Sequence, residues 1–135
     1  MLQPVIENTY LVEVNLGTIG VQKRINFQFV PQLEGTEIYA IQSFSATDLT
    51  LSPNGSAVAS TAGLAACTVT FVIGDDEKIY TLPLSDLRSA NIYGFQRMFK
   101  NLKINLTKSY ITIQTITGLT SNDSVLVNFI YRPRK

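Results

Sequence analysis

The amino-acid sequence is dominated by alternation of apolar and polar residues with a period of two. In the segment 102–107, for example, Leu102, Ile104 and Leu106 alternate with a lysine, an asparagine and a threonine. Successive side chains of a β-strand point to opposite faces, so this alternation predicts strands with one buried face. β-Branched and aromatic residues, which strands favour, are frequent in such segments. The pattern predicts eight strands, at 9–16, 24–30, 36–46, 66–73, 78–82, 102–107, 109–117 and 124–131.

Eight short strands with almost no helix predict that the 135 residues form an all-β, antiparallel β-sandwich. A jelly roll is favoured over an immunoglobulin-like sandwich, because the latter typically contains a buried tryptophan and the sequence has none. An oligonucleotide-binding barrel would use only five of the strands. Because there is no repeat or linker, residues 1–135 are expected to form a single domain. Residues 1–8 would be an extended N-terminal segment and 132–135 a basic C-terminal tail.

Glycine, proline and small polar residues mark the expected connections. Gly17 and Gly20 can close a hairpin between the first two strands, and Ser52-Pro53-Asn54-Gly55 has the residue types of a tight turn. The stretch 51–65 is small, polar and weakly patterned, which predicts a long surface loop, functional or mobile. At most one short helix is expected, near 85–101, where apolar residues have helical spacing, namely Phe95, Met98, Phe99 and Leu102.

The residue types restrict the chemistry that the chain can perform. The sequence has no histidine, the commonest general base and metal ligand. The single cysteine, Cys67, falls in the apolar register of its strand, which predicts a buried structural thiol. Glu34 and Glu37 flank a turn and are of the type that glycoside cleavage uses, but a domain of this size has little room for a sugar cleft. No catalytic residue, cofactor or metal centre is therefore expected, and the chain is not expected to be an enzyme.

Two further sequence features concern cations and membranes. Asp75, Asp76 and Glu77 form the densest acidic run, which is interpreted as a solvated turn, while binding of a cation such as Ca²⁺ stays open. No apolar run approaches the ~20 residues of a membrane helix, so no membrane span is expected. The N terminus lacks the pattern of a signal peptide, and export is not expected.

The charges are divided unevenly along the chain. Residues 1–86 carry three bases and nine carboxylates, a net −6, whereas residues 87–135 carry eight bases and one carboxylate, a net +7. Unlike patches of this kind can meet across a head-to-tail contact between subunits, and such contacts close into rings when the rotation allows. The expected assembly contacts are Arg88, Arg97, Lys100, Lys103, Arg132, Arg134 and Lys135.

One set of segments shares a resemblance to a known family, namely Ile38 to Phe44, Asp48-Leu49, Ser52 to Gly55, Glu77 to Tyr80, Leu82 to Leu84 and Asn105 to Tyr110. These segments resemble small virion proteins of icosahedral bacteriophages, of the jelly-roll penton and auxiliary capsid type. The resemblance implies a capsid protein that forms a symmetric, ring-forming homo-oligomer and binds a major capsid protein. It further implies a location in the virion after assembly in the host cytoplasm, and it supplies no catalytic residues.

Two other functions stay open at this point. A carbohydrate- or receptor-binding jelly roll could form a site from the 51–65 loop and the acidic turn at 75–77, although no tryptophan is present as a sugar platform. A single-stranded nucleic-acid-binding protein could use the lysine and arginine side chains that alternate with aromatic residues between Tyr93 and Tyr110. The isoelectric point of about 7.8 is lower than such a protein usually has.

Overall fold

The protein folds mainly as β-strands. The computed structural model describes residues 8–73, 78–88 and 97–132. Within these ranges there are eight strands and one short α-helix, α1 (Thr61–Ala65). The strands are β1 (Asn8–Asn15), β2 (Arg24–Asn26), β3 (Glu37–Phe44), β4 (Cys67–Ile73), β5 (Lys78–Pro83), β6 (Arg97–Leu102), β7 (Ile104–Ile113) and β8 (Ser124–Arg132).

The strands form two four-stranded sheets, in the orders β1-β8-β3-β6 and β2-β7-β4-β5. All neighbours within each sheet are antiparallel. Six of the seven links between consecutive strands pass from one sheet to the other, and the link from β4 to β5 is the exception. Between β6 and β7 a single residue, Lys103, makes the crossing. Edge strands β1 and β6 bound the first sheet, and β2 and β5 bound the second.

Three phenylalanine rings join the sheets at the centre of the core. Phe71 on β4 and Phe129 on β8 are fully buried, and Phe27 follows β2. The ring centroids of Phe71 and Phe129 lie 5.9 Å apart in an edge-to-face arrangement, and those of Phe27 and Phe71 lie 6.1 Å apart. Because β4 and β8 belong to different sheets, these contacts confirm the predicted β-sandwich. The period-two pattern places all three rings on the buried face of their segments.

At most one short helix is predicted near 85–101, and the described part of this segment contains one helical turn followed by a strand, so the prediction is wrong for the residues at 97–101. Residues Leu84–Leu87 form one short 3₁₀ turn, residues 89–96 lie outside the described ranges, and Arg97–Leu102 form β6. Short apolar runs fit helix and strand spacing equally well. Here the free edge of β3 offers backbone partners, and the pairs Ile38–Leu102 and Ala40–Met98 form.

Two other predicted connections also differ from the structure. The segments 102–107 and 109–117 were expected to be separate strands, but most of both belongs to β7, whose pairing with β4 shifts register. The glycines at 17 and 20 do not close a hairpin, because β1 and β2 lie in different sheets. The turn Ser52-Pro53-Asn54-Gly55 is confirmed, since the Gly55 N–H donates to the Ser52 carbonyl over 2.9 Å.

The stretch 51–65, predicted to be a long surface loop, is largely fastened to the sandwich. Val58 lies beside Ser124 in a parallel bridge, and the Ala59 N–H donates to the Ser124 carbonyl over 3.0 Å. The Ser60 hydroxyl caps α1 by accepting from the Gly63 N–H over 3.0 Å. In the described residues, no helix has the length and apolar character needed to cross a membrane.

Candidate functional site

A groove of about 520 Å³ runs along one side of the sandwich, between the two sheets. One wall is the edge strand β1, and the other is β2 with the residues that follow it. Glu13 is the one charged residue among the described residues that line the groove. Its apolar lining includes Tyr10, Val12, Ile25, Phe29 and Pro31. Its uncharged polar lining includes Asn26 and Gln28, so a groove of this composition suits a neutral partner better than a charged one.

A second cavity, of about 370 Å³, lies where the chain crosses from β6 to β7. Phe29 lines this cavity as well as the groove, and its side chain is 54% exposed. Glu34 and Lys103 contribute opposite charges to the lining, and Asn105 and Thr107 contribute polar groups. The exposed aromatic ring therefore lies between a groove lined by one charged residue and a cavity lined by two opposite charges.

The outer edge of β1 has no strand partner among the residues that the structure describes. The Leu16 N–H donates to the Asp123 carbonyl over 2.9 Å, in the same register that pairs β1 with β8. Antiparallel ladders alternate, so the even-numbered residues of β1 exchange hydrogen bonds with β8. The N–H and C=O groups of Thr9, Leu11, Glu13 and Asn15 therefore point away from β8. Among the described residues, no strand pairs with β1 on that side.

The Glu13 carboxylate fastens the neighbouring loop to β1. Its Oε2 atom accepts hydrogen bonds from the hydroxyls of Ser52 and Ser124, both over 2.9 Å. Its Oε1 atom accepts a longer bond, of 3.4 Å, from the Asn54 N–H. Both serines are buried, and Glu13 is half-buried. These bonds hold Pro53 and Asn54 against the end of the groove.

Arg88, a predicted assembly contact, is ion-paired within the subunit. Its Nε and Nη2 atoms donate to the two carboxylate oxygens of Asp48, over 3.0 and 3.2 Å. Asp48 also accepts from the Ser45 N–H over 2.9 Å. Burial raises the pKa of Asp48, but the hydrogen bonds from Arg88 and Ser45 and the Arg88 charge outweigh burial. The pKa of Asp48 is therefore lowered from 3.8.

Two other predicted assembly residues, Lys103 and Arg132, lie at one end of the sandwich. Arg132 lies opposite Glu37 in the register of β8 and β3, and Lys103 follows directly after the last residue of β6. Both Lys103 and Arg132 are exposed. Acidic residues of the first part of the chain thus lie beside basic residues of the second part in the same subunit.

The remaining predicted residues are only partly described. Arg97 and Lys100 belong to the edge strand β6, whose side chains are outside the description. The tail residues Arg134 and Lys135 and the acidic run at 75–77 lie outside the described residues. Glu34 lines the second cavity, whereas Glu37 begins β3.

Cys67 is buried on β4, as its position in the apolar register predicts. Burial raises the pKa of the Cys67 thiol to about 11, so the reactive thiolate is scarce at neutral pH. Among the described residues, no group of three or more histidine, cysteine, aspartate and glutamate side chains could hold a metal ion.

The sequence did not reveal the groove or the open edge of β1. Both depend on which strands become neighbours, and strand order joins residues that are distant along the chain. A local signal existed for Phe29, because Gln28, Pro31 and Gln32 beside it are unusual in a buried strand. No family model matches the chain, and comparison with curated proteins and with solved structures gave no significant match.

Proposed function

We propose that this protein is a viral structural protein, a small capsid subunit of the penton or auxiliary type. In this role it assembles as a symmetric oligomer in an icosahedral bacteriophage shell and contacts a major capsid protein. The observation that carries the proposal is the order in which the strands pair. Resemblance of the sequence segments described above to phage virion proteins points in the same direction.

The strand order supports a jelly roll as the finer description of the sandwich. The first strand pairs with the last, β2 pairs with β7, β3 with β6, and β4 with β5. A long antiparallel ribbon that folds over on itself produces this set of pairs. Jelly rolls occur in viral capsid, lectin and cupin domains, so the fold by itself does not select one function.

The surface favours the capsid role among these. The groove has one charged residue in its lining, and among the described residues no strand pairs with the outer edge of β1, which suits a surface that neighbouring subunits cover. Charged residues make up 16% of the sequence, below the ~25% of an average soluble domain. A low charge content is consistent with a subunit whose exterior is partly buried in an assembly.

The oligomeric state tests the capsid proposal. Purified protein is expected to form closed rings or shells in size-exclusion chromatography with light scattering and in negative-stain images. The double variant Lys100→Glu, Lys103→Glu should lose these assemblies while keeping the β-sheet circular dichroism signal. Lys23→Glu is the control, since Lys23 is exposed and outside the predicted contacts. A protein that stays monomeric at high concentration and low salt contradicts the proposal.

The exposed ring of Phe29 favours a second candidate, a carbohydrate-binding module. Sugar rings stack on flat aromatic faces, and polar groups such as Asn105 and Thr107 lie in the adjoining cavity. A glycan array should then give a signal that Phe29→Ala abolishes. Ile116→Ala, at another exposed apolar residue, should leave the signal unchanged. An array without any binding contradicts this candidate.

A further inference from the structure

The four edge strands of the sandwich are protected to different degrees. Edges that must stay unpaired usually carry lysine, arginine or proline, or are short or irregular. β2 has three residues, and β5 begins with Lys78 and ends with Pro83. β6 contains an arginine and a lysine, and its pairing with β3 shifts register between Ile38 and Ala40. Each of these three edges therefore has a feature that discourages pairing with another chain.

β1 has none of these features. Its eight residues, NTYLVEVN, pair with β8 without a register shift, and they include no proline, lysine or arginine. The single charge of β1, on Glu13, is held by Ser52, Ser124 and the Asn54 N–H. The carboxylate is therefore hydrogen-bonded to the loop and does not act as a free charge that discourages another strand from pairing with β1. Among the described residues, β1 is a regular strand whose outer edge has no strand partner and whose adjoining groove has one charged residue, and such an edge is a template for another strand.

We infer that the β1 strands of two copies of this protein pair antiparallel across a two-fold axis at Val12. The inference is separate from the capsid proposal, because such a dimer can exist whether or not the protein takes part in a shell. In this dimer, the β1-β8-β3-β6 sheet of one copy would join the same sheet of the second copy to form one continuous eight-stranded sheet. The grooves of the two subunits would then face each other and be covered.

The register follows from which backbone groups of β1 are free. Centring the pair on Val12 sets Thr9 opposite Asn15 of the second copy and Leu11 opposite its Glu13. All four residues with outward backbone groups then exchange hydrogen bonds across the axis. Centring on Leu11 would leave Asn15 without a partner in β1 and use three of the four. The Val12 register is therefore the one that satisfies the whole strand.

A second copy is the occupant that the surface chemistry favours. Glu13 is the one charged residue among the described groove residues, and it already accepts hydrogen bonds within the subunit, so binding in the groove does not require a charged partner. In the Val12 register, Glu13 lies opposite a leucine, and no like charges oppose each other. The facing positions on the inner side are Val12 against Val12 and Tyr10 against Val14. The edge is therefore complementary to itself, as an isologous two-fold contact requires.

Cysteine cross-linking tests both the dimer and its register. In Val12→Cys the two Cα atoms would lie about 4.5 Å apart, within the range that a disulfide spans. In Val14→Cys they would lie roughly 14 Å apart, too far to be bridged. Mild oxidation should therefore give a disulfide-linked dimer with Val12→Cys and not with Val14→Cys. Equal cross-linking of both variants, or of neither, would overturn the inference.

A backbone variant supplies the second readout. Leu11→Pro removes an outward N–H without breaking a bond to β8, and it should weaken dimerisation in sedimentation equilibrium about tenfold or more. Leu11→Ala, which keeps the N–H, is the matched control and should dimerise nearly as wild type does. Equal dimerisation of Leu11→Pro and wild type contradicts the inference. If the protein forms rings but Val12→Cys does not cross-link, β1 pairing is refuted and the capsid role is not. If Val12→Cys cross-links but the protein never forms assemblies larger than a dimer, the capsid role is contradicted and β1 pairing is not.

Discussion

Two carboxylates, Glu13 and Asp48, both fasten the connection between β3 and α1, but their partners differ. Glu13 accepts from the hydroxyls of Ser52 and Ser124, which are 6% and 0% exposed. Asp48 pairs with the guanidinium of Arg88, and both side chains keep about one-fifth of their surface exposed, at 20% and 21%. The first cluster joins one charge to buried neutral donors, and the second joins two charges near solvent.

The difference shows which interaction the fold depends on. Buried hydroxyls that lose their acceptor have no water to replace it, and each such loss costs about 1–3 kcal/mol. An ion pair near the surface can exchange its partner for water, and it contributes about 0–1 kcal/mol. The cluster of Glu13 with the two buried serines should therefore stabilise the fold more than the Asp48–Arg88 ion pair, although the ion pair contains more charge.

The largest effect is expected from Glu13→Ala. This change leaves the hydroxyls of Ser52 and Ser124 without their acceptor and should lower the free energy of unfolding by about 3 kcal/mol. For a chain of this size, the midpoint of thermal unfolding should fall by about 10 °C. Urea unfolding followed by circular dichroism measures the first quantity, and calorimetry measures the second.

Glu13→Gln is the matched control for this change. Its amide oxygen can take the place of Oε2 and still accept from both hydroxyls, while the acceptor for the Asn54 N–H is lost, so its loss should be smaller than that of Glu13→Ala. If Glu13→Ala costs less than Asp48→Ala, the assigned order of the two clusters is wrong.

A smaller effect is expected at the ion pair. Asp48→Ala loses the pair with Arg88 and the bond from the Ser45 N–H, and it should cost about 1 kcal/mol. Arg88→Met loses the pair but leaves the Ser45 bond, and it should cost about 0.5 kcal/mol. The same urea titration measures both. An Arg88→Met loss equal to that of Glu13→Ala would show that the ion pair, rather than the buried cluster, holds the connection.

The sequence predicted the sheets well and the helices poorly. On β4, Cys67, Val69 and Phe71 are buried at every second position, so local alternation was sufficient to identify the strand. At β6 the spacing fitted a helix, and the free edge of β3 decided the outcome. α1 was missed because its five residues are too few for a periodic pattern, although Ser60 was available as a cap.

The candidate surfaces were beyond the reach of local patterns. Glu13 meets Ser52 at a separation of 39 residues and Ser124 at 111 residues. The division of charge along the sequence predicted contacts between subunits, yet Arg88 of the basic part pairs with Asp48 of the acidic part in one subunit. The charge pattern describes where charged residues occur along the sequence. Which of them form ion pairs depends on which strands and turns become neighbours in the fold.

The smallest and most selective effect concerns pH. Because the pKa of Asp48 is lowered in the folded state, its carboxylate stabilises the fold above its ordinary pKa of 3.8. This contribution is lost as the pH falls through the folded-state pKa, where the carboxylate becomes protonated. The difference in unfolding free energy between wild type and Asp48→Asn should thus stay constant from neutral pH to about pH 5 and shrink at more acidic pH. Arg88→Met removes the main group that lowers the pKa of Asp48, so in that background the folded-state and unfolded-state pKa values lie closer together and the decline should be smaller. Urea titrations across this range would contradict the assignment if the Asp48→Asn difference had the same pH dependence with and without Arg88.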